Sequence, residues 1–149
     1  MTSSETDHSF NFWIKYLKFI SFFFAVMGVM WAMIGSFDPF GIYDYYFAQS
    51  FFDADELPSD VKKSISFILG PLGATNTAYF ILQYFIAKNA FAKKELWAYH
   101  AIVFGFSFWF ILDTMMCVYY QAYFNILLAN IPCLLAMLPI FFTKSYFTS

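Results

Sequence analysis

The chain has 149 residues, 61% of them hydrophobic and 26% aromatic, with a mean hydropathy of +0.60 and a formal net charge of −2. That apolar share exceeds the roughly 45–50% of soluble domains. Two cysteines are too few for a disulfide or metal framework, and the absence of any basic tract interleaved with aromatics speaks against nucleic acid as a partner.

The apolar residues fall in blocks. No charge interrupts Phe19 to Phe37, Ser64 to Ala87, Leu96 to Leu112 or Thr114 to Thr143. Each block is near or above the ~18 residues that mark a membrane-spanning helix, because about 20 residues at about 1.5 Å rise cross a ~30 Å hydrocarbon core. The chain is therefore read as one integral membrane domain over residues 1–149, an all-α bundle of four transmembrane helices whose partner is the lipid bilayer.

The first span is expected over 14–36, after a polar and mobile stretch from Met1 to Asp7. Its apolar run is longer than a signal-peptide core and no small-residue cleavage site follows, so it is read as an uncleaved span. Along it Ser21, Ala25, Gly28, Ala32 and Gly35 step by four, three, four and three, placing small residues on one stripe. Such a stripe lets another backbone approach closely. Ordinary packing within the chain and a homodimer face through Ala25, Gly28, Ala32 and Gly35 are both open readings.

The connection that follows is rich in aromatics and acids. Phe40, Tyr43, Phe47 and Phe51 have helical spacing, which predicts a short interfacial helix with Asp44 and Gln49 turned to water. This helix is expected either to cap the mouth of the bundle or to anchor it at the membrane surface. Asp38-Pro39 and Leu57-Pro58-Ser59-Asp60 supply a turn and a helix start.

The second span is expected over 62–87. Gly73, Asn76, Tyr79 and Gln83 share one face, and Pro71 removes one backbone donor, leaving the Phe67 carbonyl without its helical partner. A third span is expected over 95–119 and a fourth over 123–142. Leu96 to Thr143 as a single helix would be about 72 Å long, so the chain must turn, and Tyr119-Tyr-Gln-Ala-Tyr-Phe-Asn125 carries the residue types for it.

Orientation follows from the lysines, there being no arginine. Lys15, Lys18, Lys88, Lys93, Lys94 and Lys144 fall at the ends that a four-span chain places together, so both termini are expected in the cytoplasm, in the inner (cytoplasmic) membrane of a cell. Six acids against Lys62 and Lys63 between Asp38 and Lys63 put the first connection outside.

Asp113 is the one charge inside the last two spans. An ionisable group at such depth costs about 2.5–3.5 kcal/mol by insertion scales, which makes it a functional-site hypothesis by default, with an interhelical hydrogen bond as the structural alternative. Treating consecutive spans as antiparallel hairpins brings Asp113 level with Pro71 and Asn130, and Gln83 level with His100. The expected ligand-binding residues are thus Asp113, Asn130, Asn76, Tyr79 and Gln83, with Asp113 bonded to Asn130 or to the carbonyl of Phe67. Phe40, Tyr43, Phe47 and Phe51 are the expected loop cap. His100 and Asp113 are thirteen residues apart, near 20 Å along the helix, and form no dyad. Cys117 and Cys133 differ in depth by about 9 Å, outside disulfide reach.

This layout, with Ile68-Leu-Gly-Pro-Leu-Gly73, Trp109-Phe-Ile-Leu-Asp-Thr114 and Ala122-Tyr-Phe-Asn125, resembles small DoxX-like bacterial membrane proteins and related four-helix membrane proteins. The resemblance implies the four-helix fold and assigns no catalytic residue. Three functions are expected in order: binding of an apolar or amphipathic small molecule, or service as an accessory subunit of a membrane complex; an oligomeric proton- or ion-coupled carrier using Asp113; and a membrane enzyme on a lipid-like substrate. The enzyme stands last because H-E-x-x-H, a nucleophile elbow, a carboxylate pair and cofactor fingerprints are all missing from the sequence, which names no metal or cofactor.

The lysine asymmetry predicts that Ser50→Cys is labelled by a membrane-impermeant thiol reagent on intact cells. Labelling only after the cytoplasmic side is opened would reverse the orientation.

Overall fold

The computed structural model describes residues 3–34 and 40–148, with the backbone alone at 3–7 and 34. Gly35, the last member of the small stripe, and the Asp38-Pro39 turn lie outside the described residues. The elements are α1 (Ser3–Ile34), α2 (Ile42–Phe52), α3 (Ser59–Asn89), a 3-10 turn (Phe91–Lys93), α4 (Leu96–Tyr119) and a final helical run α5 (Tyr123–Phe147). No strand occurs among the described residues. Four of these helices, α1, α3, α4 and α5, are long and apolar enough to cross a membrane, which fits a multi-pass membrane protein.

Helix ends follow local chemistry. The first helix begins at Ser3 rather than near 14, so that Ser3 to Asp7 are helical where the sequence suggested a mobile tail. Serines followed by Glu5 and Asp7 are the residue types that a helix start favours. The third helix opens after Pro58 with Asp60 in its first turn and closes with Lys88 in its last, in accord with the helix dipole. The turn between α4 and α5 passes through Gln121 at φ 57°. Within α5 the ladder is irregular: Ile126–Asn130 form a π turn, Ile131–Phe141 are regular, and Phe142–Phe147 tighten into 3-10 geometry. Pro132 lacks an N–H for the carbonyl of Leu128, and the neighbouring Ile131 N–H reaches back five residues to Ile126.

The tightest packing joins α1 to α3. A Cβ on Gly73 would stand 2.6 Å from the Ala32 nitrogen and the Gly28 oxygen, and one on Gly28 would stand 2.5 Å from Thr77 Oγ1. Two backbones therefore touch where both helices lack side chains. Around this contact α3 donates to α1: Asn76 Nδ2 to the Phe24 carbonyl at 3.1 Å, Thr77 Oγ1 to the Ala25 carbonyl at 3.2 Å, and buried Gln83 Nε2 to Ser21 Oγ at 3.0 Å. The small stripe of α1 is thus occupied by a helix of its own chain.

A hydrophobic core fills the end of the bundle where the N-terminal part of α1, the 3-10 turn and the C-terminal part of α5 converge. Phe10 stacks on Phe91 at 5.6 Å and meets Tyr146 at 5.1 Å, and Leu17, Phe91 and Ile140 are fully buried. Lys94 lies over the Phe10 ring at 5.2 Å. The two termini and the second connection therefore share one end, as the four-span reading requires. At the other end Asp44 of α2 pairs with Lys62 of α3 at 2.8 Å, so Asp44 turns towards α3 rather than to water.

The contact at Gly73 predicts that Gly73→Ala destabilises the bundle by about 1–3 kcal/mol, the usual scale of overpacking. Gly70→Ala is the control, because its nearest neighbour would be the Ala32 oxygen at 3.9 Å. Thermal unfolding in detergent should drop for the first variant and hold for the second; equal melting of both would remove the claim.

Candidate functional site

Because α3 is drawn onto α1, it leaves a gap against the α4–α5 hairpin. Tyr79 bridges part of that gap, its ring resting where Gly105 of α4 has no side chain, with Tyr79 Oη 3.2 Å from the position a Cβ would take. Nearer the α2 end the gap widens into a cavity of about 300 Å³. This is the lower end of the roughly 300–1,000 Å³ range of small-molecule sites. Trp31, Leu69, Leu72, Trp109 and Leu128 form its apolar wall, and Asn76, Asp113, Asn125, Asn130 and Tyr43 its polar groups.

Asp113 projects from α4 and is half-buried. Its Oδ2 accepts from Asn125 Nδ2 at 3.4 Å and from the Cys117 thiol at 3.6 Å. Asn125 Nδ2 also reaches Cys117 Sγ at 3.2 Å. These are long, weak bonds. Among the described residues no lysine or histidine pairs with the carboxylate. Asn130 is fully buried, and its Nδ2 donates to Thr114 Oγ1 at 2.9 Å, one residue from Asp113. Its Oδ1 has no partner.

The sequence placed Asp113 level with Asn130, and both do line the cavity. Their expected bond is not formed: Asn130 bonds Thr114, and Asn125 takes its place beside the carboxylate. The expected bond to the Phe67 carbonyl is also not formed, since Pro71 is exposed and Phe67 is turned out of the fold. Asn76 is at the cavity wall, but its amide is committed to α1. Tyr79 and Gln83 are outside the wall. Gln83 bonds Ser21, because α3 faces α1 along this stretch. Trp31, Trp109, Asn125 and the aliphatic Leu69, Leu72, Leu128 and Ala129 are wall residues the sequence did not single out. For Asn125 a signal existed in Pro132, which disturbs the helical ladder downstream of it.

Of the residues expected to form a cap, Tyr43 and Phe47 pack against α5. Both rings meet Phe124 at the start of α5, at 5.2 and 6.3 Å, and Tyr46 joins them at 6.3 Å. Phe51 packs on Phe47 at 4.6 Å, whereas Phe40 precedes the helix and is exposed. Tyr43 Oη lies 3.5 Å from Asn125 Oδ1, which places the phenol over the polar end of the cavity.

Burial, with the negative charges of Cys117, Asp113 and Asp44 added, pushes the Tyr43 phenol up to about 12. The folded value lies above the ordinary 10.0, so the folded state holds this proton more tightly. Its stabilisation of the docked α2 is complete below pH 10 and is lost as the pH rises through about 12. Tyr43→Phe should remove the latest-titrating phenolate from the ultraviolet absorbance titration and flatten the alkaline loss of α2 docking. Superimposable titrations of the two proteins would show that Tyr43 is solvated.

No family model, curated protein or solved structure matches this chain.

Proposed function

We propose that the chain is a multi-pass protein of the inner (cytoplasmic) membrane, both termini cytoplasmic, that takes an amphipathic small molecule from the bilayer into the cavity beneath α2. The observation that carries this reading is the cavity's composition: a leucine and tryptophan wall with one carboxylate and three amides among its lining. Leu72, Trp109 and Leu128 are exposed on the helix surfaces, so the wall is continuous with the face that hydrocarbon covers and entry is lateral. In this account α2 lies at the membrane interface, with Tyr43 and Phe47 closing the outer end. The likeness to DoxX-like proteins is one of layout and supplies no residue to this reading.

A second reading has a specific support, the carboxylate without a basic partner: Asp113 serves as the titrating group of an oligomeric proton- or ion-coupled carrier. Copies meeting through the Ala25, Gly28 and Ala32 stripe would first have to displace α3, so oligomerisation would use another face.

Three variants separate the accounts. Leu72→Trp, which fills the cavity, should leave the melting temperature near wild type while a small molecule that co-purifies with the wild type is lost. Asp113→Asn keeps size and hydrogen bonding and should preserve the fold while weakening retention or transport. Asp113→Leu leaves the Asn125 amide only Cys117 Sγ as an acceptor and removes the acceptor of the Cys117 thiol, and should cost about 1 kcal/mol of stability. Unchanged retention and transport in the Asn and Trp variants, with loss only for Leu, would reduce Asp113 to packing and favour an accessory subunit.

A further inference from the structure

We propose that the polar head taken by this cavity is an ammonium carrying N–H groups, so that the ligand is an amphipathic primary or secondary amine. The inference rests on the binding reading above and narrows it to a ligand class.

Three features of the wall point the same way. The single charged residue lining the cavity is an acid, Asp113, and no lysine or arginine lines it to meet a phosphate, sulfate or carboxylate. An uncompensated carboxylate at such depth is unfavourable, and a cation beside it offsets that cost. The second feature is an orphaned acceptor in the wall, one of two buried acceptors without a donor among the described residues, the other being Gln83 Oε1 away from the cavity. Asn130 Oδ1 is completely buried with no donor, while the amide's other end is tied to Thr114, the neighbour of Asp113. A buried acceptor without a partner costs about 1–3 kcal/mol. An N–H from a group seated by Asp113 would satisfy it, whereas an alkyl-capped quaternary nitrogen would not. The third is the pair of indoles, Trp31 and Trp109, in the same wall, since tryptophan is the best aromatic face for a cation. A bare inorganic cation would leave most of about 300 Å³ and all of the apolar wall unused.

The amide donors are largely engaged within the protein: Asn125 Nδ2 serves Asp113 and Cys117, Asn76 Nδ2 gives one N–H to the Phe24 carbonyl, and Asn130 Nδ2 gives one to Thr114. An alkyl chain on the nitrogen would run along Leu69, Leu72 and Leu128 towards the lipid.

The test uses the full chain in neutral lipid nanodiscs with four probes: octylamine, octyltrimethylammonium, octanol and sodium chloride. Tryptophan emission and thermal unfolding are read, and the alkyl probes are corrected for their partition into lipid. Octylamine should bind saturably, at least tenfold more tightly than octanol and several-fold more tightly than octyltrimethylammonium. Asp113→Asn should weaken octylamine at least tenfold and leave octanol unchanged. Asn130→Ala should erase the preference for octylamine over the trimethylated probe; if it fails to fold, the wild-type ratio alone decides the N–H requirement. Equal saturable binding of the three alkyl probes, abolished by Leu72→Trp, would sink the amine assignment and keep the cavity as a binding site. Protection by sodium chloride alone would replace the amine by an inorganic cation. Absence of saturable binding by any probe would overturn both the ligand class and the binding reading.

Discussion

The architecture depends on the contact of two backbones at Gly28 and Gly73. Where hydrocarbon surrounds a bundle, apolar side chains gain little by turning inward, and close approach with hydrogen bonding decides which helices pair. At this crossing a Cβ on either glycine would overlap the other helix, and the approach brings Asn76, Thr77 and Gln83 within reach of α1. Carbonyls that already accept within α1 have a second lone pair, so these bonds add to the helix rather than compete with it. The α1–α3 pair is then the fixed unit against which the α4–α5 hairpin is set.

The cavity is a consequence of that pairing. Drawn onto α1, α3 meets α4 chiefly through Tyr79 resting over Gly105, and the two helices part towards the α2 end. At the opposite end Phe10, Phe91 and the aromatic rings of the α5 terminus pack together. One end of the bundle is thus packed with apolar rings, and the other holds an acid, three amides and a phenol under a short helix. The chain's few polar side chains at depth fall into two groups on this basis. Asn76, Thr77 and Gln83 bond α1, and Asp113, Asn125 and Asn130 remain around the space α3 vacated.

Much of this is legible in the sequence. Charge-free blocks and the 72 Å limit on one helix give four spans, and the third and fourth begin within a residue of their expected positions because the turn between them is short. The same short turn fixes their register, so the placement of Asn130 beside the Asp113 level agrees with the Asn130–Thr114 bond. Gln83 bonds Ser21 of α1, a partner that pairing only sequence-adjacent spans does not supply. The small stripe Ser21 to Ala32 and the α3 face bearing Gly73, Asn76 and Gln83 are both visible in the sequence, and pairing them with each other would have put α3 on α1. Asn125 escapes for a different reason. Five residues in a regular helix leave Asn125 and Asn130 about 140° apart, whereas the π turn between them, with its wider five-residue bonding, rotates them towards one side.

Asp113 can now be weighed against the fold that carries it. Its two partners, at 3.4 and 3.6 Å, are the kind an asparagine would serve as well, and among the described residues no base repays its charge. By contrast, the bonds that hold α3 to α1 are neutral and near 3 Å. The bundle therefore gains cohesion from its amides and glycines and little from its carboxylate. Nor is the acid sheltered by its position, since it borders a cavity lined by two indoles and a buried amide oxygen that lacks a donor. A weakly bonded carboxylate and an amide oxygen without a donor thus line one cavity of about 300 Å³. Sites where local stability is given up without a structural return are where natural proteins keep their chemistry. By that reasoning the charge at Asp113 belongs to what enters the cavity and not to what holds it open.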